Sequence, residues 1–366
     1  MDRRQFLVST GAAGIGALFA TQACGQAAAV PSPEAFAWNT GDLDFQFSIA
    51  NGCLRQHLFL PAGVSAPQES GQWFGVETGL LCTGEDSPDS GMKLSGGSPG
   101  WRLRLAGKDE HRSARGKTLI LRHTDPDLHL DVQSHYEAVD GLPVVRRHVE
   151  IRNTGEAPVG IEYLSSAMLH GLADPTHYDN ELKIWIAYNS WMAEGQWHGL
   201  RPSELGFVEN LRTSWSQASA GSVGSWSTEK YLPMAVVENT KLGVAWFWQI
   251  EHNGSWYWEI SNQAASWIRA NDVYAYLGGP DQLHSQAWKS LQPGATYQTV
   301  PVAIGCVRGG FQEAVQALTA YRQRVCVRQR SARVACPVIF NDFMNCLWAD
   351  PTEEKELPLI DAAAAA

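Results

Sequence analysis

The sequence predicts a mainly β protein: a large antiparallel β-sandwich, then a connecting helix, then the first β/α unit of an incomplete (β/α)8 barrel. Three observations predict it. Short alternating runs separated by turn residues fill the chain from about Phe36 to Val307. Near residue 310 the apolar period becomes helical. An apolar run of parallel-strand type, Pro337-Val338-Ile339-Phe340, follows and leads into a second helix. The expected boundaries are 1–30 for an export segment, 31–307 for the sandwich, 308–336 for a helical linker and 337–366 for the start of the barrel.

The export segment reads Met1-Asp2-Arg3-Arg4-Gln5-Phe6-Leu7, followed by an Ala/Gly-rich apolar run through Ala20. This is the pattern of a twin-arginine signal, and it predicts a periplasmic or extracellular protein. The run is too short and too rich in glycine for a good transmembrane helix, and no other segment approaches eighteen apolar residues. Thr21-Gln22-Ala23-Cys24 is a loose lipoprotein-type site, so a lipid anchor at Cys24 and cleavage between Ala23 and Ala29 without lipid are both open readings.

Composition agrees with a folded β protein. Of 366 residues, 44% are hydrophobic, enough for a full core, and 34 glycines with 18 prolines suit many short strands joined by turns. The net charge of −10 and the lack of a basic stripe, apart from Arg322–Arg333 at a helix exit, argue against nucleic acid as a partner. No cysteine forms a Cys-x-x-Cys pair and no histidines have zinc spacing, so neither metal nor other cofactor is expected. Tryptophan stands out: fifteen residues, roughly three times ordinary usage. Most must fill the space between sheets. A remainder can act as flat stacking platforms, which suit the C–H face of a sugar ring.

Within the sandwich, Val145, Arg147, Val149 and Ile151 alternate with Arg146, His148 and Glu150, and Asn153-Thr154-Gly155 makes a turn. Strand character resumes over Ile161–Leu169. The run Val244–Ile250, the turn His252-Asn253-Gly254 and the run Ser255–Ile260 read as a hairpin with aromatic residues on both faces. Leu291–Gly294 is a turn ahead of a strand over Tyr297–Cys306. Glu77, Glu85, Asp86 and Asp89 lie scattered in a Gly/Ser/Pro-rich stretch and read as a solvated loop.

Phe311, Val315, Leu318 and Arg322 recur at helical spacing and predict a helix of about fifteen residues, with an exit loop over Gln323–Ala335. After the 337–340 run, Asn341-Asp342-Phe343-Met344-Asn345 places polar residues at the strand's C-terminal end, where a β/α-barrel builds its site. Asp350, Pro351 and Glu353 then read as cap, first helical residue and capping box of a helix through Leu357 and Ile360, with Pro358 inside it. The chain stops in five alanines without a stop signal, which reads as truncation of a longer polypeptide. An orphan strand and helix would leave apolar surface exposed.

Several of these segments resemble the α-galactosidases of glycoside hydrolase family thirty-six, the melibiase or raffinose-type family. The likeness covers roughly residues 40–366. Residues Pro337–Asn345 with Asp350–Lys355 look like the family's first barrel strand and helix. Asn189-Ser190-Trp191-Met192-Ala193-Glu194-Gly195 is similar to its Trp-x-x-Glu segment, and Ser225–Pro233 to the serine-rich loop that follows. The resemblance implies an N-terminal β-supersandwich, a connecting helix, a barrel, and retaining hydrolysis of terminal α-galactosides by two carboxylates. In the family both carboxylates lie beyond the first barrel helix, so no catalytic residue is assigned and the chain is expected to be inactive alone. Asn341, Asp342, Phe343 and Asn345 correspond to the rim of the sugar site, with strand-end turn or helix cap as the structural alternative. Phe343 departs from the tryptophan common there. Trp191 and Glu194 match the family segment, with a structural role in the sandwich as the alternative. The family's sandwich loop reaches a neighbour's active site, which makes Gly71–Gly75, with Trp73, a candidate and implies a homo-oligomer. A non-enzymatic module for binding galactosides or other oligosaccharides, or for oligomerisation, is the competing reading.

Overall fold

The computed structural model describes residues 34–87, 93–208, 216–265, 270–325 and 340–365. The export segment with Cys24, and Pro337–Ile339 of the expected barrel strand, lie outside these residues. No described helix is long and apolar enough to cross a membrane.

Antiparallel β-structure dominates and forms three sheets. The largest has fifteen strands. It runs from Glu34–Asn39 at one edge, through Val144–Asn153 and Val302–Arg308, to Gln196–Leu200 at the other. A four-stranded sheet holds Ala167–Leu169, Ala270–Gly278, Trp256–Ala265 and Gln217–Ser222. A three-stranded sheet holds Lys289–Leu291, Val159–Leu164 and Leu80–Cys82.

Both small sheets pack on the same face of the large one. Strand Val144–Asn153 shows how the alternation achieves this. Its residues Val145, Arg147, Val149 and Ile151 point inward, as their period of two requires. Val145 joins the cluster shared with the four-stranded sheet, and Val149 and Ile151 join the one shared with the three-stranded sheet. The opposite face of the large sheet is covered by helix Phe311–Val325, which is fifteen residues long. That helix buries Ala314, Leu318 and Tyr321 against Val144, Val236, Phe247 and Ala303. Gly310 N–H donates to Glu313 and Phe311 N–H to Glu238, so carboxylates satisfy the first donors at the helix start. The order sandwich, then helix, is the one expected, and no barrel closes among the described residues.

The expected hairpin across His252-Asn253-Gly254 does not form. Val244–Ile250 pairs with Tyr231–Asn239 and Val302–Arg308 in the large sheet. Trp256–Ala265 pairs with Gln217–Ser222 and Ala270–Gly278 in the four-stranded sheet. The Asn-Gly turn is therefore a corner that carries the chain across the sandwich. The two runs face each other across the core instead, where Trp248 and Trp258 meet edge to face at 5.4 Å. The Ile161–Leu169 run likewise splits between the two small sheets, as Val159–Leu164 and Ala167–Leu169. The Tyr297–Cys306 run becomes Thr296–Gln298 and Val302–Arg308, interrupted at Pro301, which has no N–H for a ladder.

The last helix spans Glu353–Ala365. It begins later than expected. Asp350 forms an ion pair with Lys355, and the Thr352 carbonyl accepts from Lys355 and Glu356, so Thr352 occupies the capping position. Asp342 and Phe343, expected at the end of a strand, sit at a single π-helical turn over Phe343–Leu347. Among the described residues Cys53, Cys82, Cys306 and Cys346 are free thiols. Burial pushes Cys82 up to about 12, which leaves it an inert apolar residue.

Candidate indole groove

Two loops at one end of the sandwich build a groove of about 480 Å³ lined by Asn189, Ser190, Trp191, Glu194, Trp226 and Thr228. The first loop joins Leu182–Tyr188 to Gln196–Leu200, which pair as a hairpin. The second joins Gln217–Ser222 to Tyr231–Asn239 and so crosses from one sheet to another. Each loop is tied down by hydrogen bonds that spare the indoles. Asn189 donates from Nδ2 to the Thr228 carbonyl and accepts from Gly195 N–H at 3.0 Å, while its own N–H donates to the Lys230 carbonyl at 2.8 Å. Met192 (φ 60°) and Gly195 (φ 64°) supply the left-handed residues the turn needs. In the second loop Ser222 Oγ donates to the Trp226 carbonyl at 2.8 Å and Trp256 Nε1 to the Ser227 carbonyl at 2.6 Å.

The backbone is thus held while the side chains are presented. Trp191 is 78% exposed and Trp226 58% exposed. An exposed indole leaves apolar surface in water, so a pair of them beside Ser190, Glu194 and Thr228 is a surface equipped to stack on a ring and hydrogen-bond its edge. Among the described residues the groove is lined by one carboxylate, Glu194, whereas retaining glycoside hydrolysis needs two flanking the scissile bond.

The structure therefore brings together Trp191 and Glu194 with the serine-rich loop. It does not assemble the other expected residues around them. Trp73 is buried at the exit of a 3-10 turn over Gln68–Gln72, so its indole is not presented to a neighbour. Asn341, Asp342 and Phe343 lie side by side on an exposed turn. Asn341 Oδ1 accepts from Met344 N–H at 3.3 Å, and Phe343 meets Trp348 edge to face at 6.1 Å. The side chain of Asn345 lies outside the described residues.

Glu77 corrects the reading of the Glu77–Asp89 stretch as a solvated loop. It is fully buried between the sheets and paired with Arg147, the one charged residue on the inward face of its strand. Thr78 Oγ1 (2.7 Å), Ser134 Oγ (2.9 Å) and Tyr136 OH (2.5 Å) donate to the same carboxylate, and His123 Nε2 lies 3.2 Å from it. Burial alone would raise the Glu77 carboxyl. Arg147, with His123 and Tyr136, outweighs burial and holds it well below the usual carboxylate range. Glu85 pairs with Arg102, and Asp89 lies outside the described residues. A second buried pair, His170 with Asp272, pins the four-stranded sheet to the Val76 carbonyl, which His170 Nε2 meets at 2.9 Å. It requires glycine at 75, where a Cβ would lie 2.1 Å from the imidazole. The signal for the Glu77 network was present in the sequence: an arginine in the inward register must have a buried partner. Which carboxylate it finds, seventy residues away along the chain, is set by the pairing of distant strands.

No protein-family model matches the chain. No curated protein matches it. Solved structures do. The α-galactosidase from Lactobacillus brevis superposes with a TM-score of 0.62 at 14% identity, covering 90% of this chain and 47% of that one. The galactosidase domain of the α-galactosidase-sucrose kinase AgaSK gives 0.56 at 16%, covering 78% and 41%. The GH36 α-galactosidase AgaB from Geobacillus stearothermophilus gives 0.58 at 14%, covering 78% and 42%. This chain spans less than half the length of each. At such identities the likeness is one of fold, and the chain has, over most of its length, a fold that α-galactosidase structures share.

Proposed function

We propose that this chain is the β-domain part of an α-galactosidase-type system for terminal α-galactosides, and that on its own it binds sugar without hydrolysing it. The observation that carries the reading is the likeness of fold over 90% of the chain to an α-galactosidase. The indole groove supports it, because stacking platforms with a polar edge are what a galactoside needs. The single groove carboxylate and the structural use of Glu77 and Asp272 support the absence of turnover. Purified chain assayed on an aryl α-galactoside is expected to show none. Turnover that disappears when a carboxylate of this chain is replaced would overturn the proposal.

A second reading, contact between copies of the chain through the same loop, is favoured by Met192, which is 87% exposed beside Trp191. Sedimentation of the Trp191→Ala protein separates the two. An oligomer that dissociates on this change supports the contact, and an unchanged sedimentation profile with weakened sugar binding supports the groove.

A further inference from the structure

The loop that carries Trp226 also borders a second cavity, of about 200 Å³, whose lining shares no residue with the groove. It lies where the two central strands of the four-stranded sheet, Trp256–Ala265 and Ala270–Gly278, meet the short helix Gln282–Ser285. Its walls include Ser222, Val223, Trp256, Tyr257 and His284.

His284 is locked in two independent ways. Its ring lies flat on Tyr257, with centroids 3.5 Å apart and planes 12° apart. Its Nδ1 lies 2.9 and 3.1 Å from the two oxygens of Asp281, a carboxylate that is 1% exposed. Asp281 is in turn held by His284 N–H at 2.6 Å, and its own N–H donates to Ser285 Oγ at 3.0 Å. Tyr257 is anchored beneath the ring, its hydroxyl accepting from Gln217 Nε2 at 2.7 Å. A carboxylate on Nδ1 keeps the proton there and leaves Nε2 as a bare acceptor. Nε2 has no hydrogen-bond partner among the described residues, and the side chain is 20% exposed, so the cavity can reach it.

Capping a helix of four residues needs Asp281 alone. The stack and the fixed tautomer do something more: they aim one acceptor. The cavity is smaller than the ~300 Å³ at which ordinary ligand clefts begin, so it admits a single small ring. Its apolar wall is aromatic, and its negative charge is already spent on His284, so a cation has no claim on it. We propose that this cavity binds a neutral polyhydroxylated ring of pyranose size, with His284 Nε2 accepting a hydrogen bond from a ligand hydroxyl and Asp281 acting as its positioning residue.

The test is nitrogen-15 spectroscopy of the histidine side chains during titration with methyl α-galactoside and methyl α-glucoside. Free protein is expected to show His284 as the Nδ1–H tautomer. At least one of the two glycosides is expected to move its Nε2 signal saturably, and to do so equally in protein carrying Trp191→Ala and Trp226→Ala, so the result stands apart from that of the groove. Two variants then probe the cavity, with the Trp256 indole signal as reporter. His284→Phe keeps the stack on Tyr257 and removes the acceptor. Val223→Trp fills the mouth from a position 61% exposed in the native protein, where folding is not at stake. Each should weaken binding by about 10-fold or more. An Nε2 signal unmoved by either glycoside up to ~0.1 M, or unchanged affinity in both variants, would overturn the proposal.

Discussion

The indoles of the sandwich core and those of the groove are the same side chain put to opposite uses. Trp246, Trp248, Trp256 and Trp258 sit on strands, on their inward faces, and are buried between the sheets. Trp191 and Trp226 sit on loops whose backbones are tied by Asn189 and Ser222 and whose rings are left in water. Each buried indole removes on the order of 200 Å² from solvent, an upper bound of ~5 kcal/mol. An exposed one gains nothing of that kind from folding. The difference teaches that a high tryptophan content has two separable causes here, and that the element carrying each residue, rather than its type, divides them.

Five substitutions sharpen or break this division. The largest effects belong to the core. Trp258→Ala should cost ~3–5 kcal/mol by opening a cavity between the sheets, and Arg147→Ala a similar ~3–5 kcal/mol by stranding the Glu77 carboxylate. Denaturant melts measure both, and a loss below 1 kcal/mol in either would mean the core is not packed as described. Next comes acid. Glu77 is held below its unfolded value, so its contribution is complete above about pH 4.3 and is lost as pH falls through the lower folded value. Glu77→Gln should flatten that limb of the stability–pH curve.

A smaller effect belongs to the stacked pair His135 and His148, cross-strand partners 4.5 Å apart on the outer face. Burial, then His135, Arg146 and Arg147, pushes His148 down to about 4. A base lowered by folding takes up protons first in the unfolded chain, so stability falls as pH drops from about 6.5 toward 4. His148→Gln should reduce this slope, leaving the part due to His135, whose imidazole burial also pushes down, and an unaltered slope would place the titration elsewhere. The smallest effect is expected at the groove: Trp191→Ala should change stability by no more than ~0.5 kcal/mol, read by the same melts. A larger loss would make Trp191 part of the core and dissolve the comparison.

Much of the fold was legible in the residues, and the reasons are local. The inward register of Val145, Arg147, Val149 and Ile151 follows from a period of two, and the helix over Phe311–Val325 from its own apolar stripe. Partners across the sandwich were not legible. Val244–Ile250 and Trp256–Ala265 look like a hairpin because a turn cannot report whether its strands pair or part; that is decided by the other strands that each one pairs with. The two helices show the same limit. Phe311–Val325 buries three side chains, whereas Glu353–Ala365 buries none, exposes Leu357 and Ile360, and contains Pro358. Trp191 was singled out by a family resemblance, and Trp226 lay in a segment that the same resemblance named. Their convergence into one groove depends on loops from different sheets and could be seen only in three dimensions.

The central claim is that the groove of the exposed indoles Trp191 and Trp226 meets sugar. Intrinsic tryptophan fluorescence followed during titration with an α-galactoside tests it directly. In protein carrying His284→Phe, which weakens the second cavity, the account predicts a saturable change that disappears when Trp191→Ala and Trp226→Ala are added while the fold is retained. The absence of any saturable change in the His284→Phe protein, or the same affinity once both indoles are also removed from it, would contradict it.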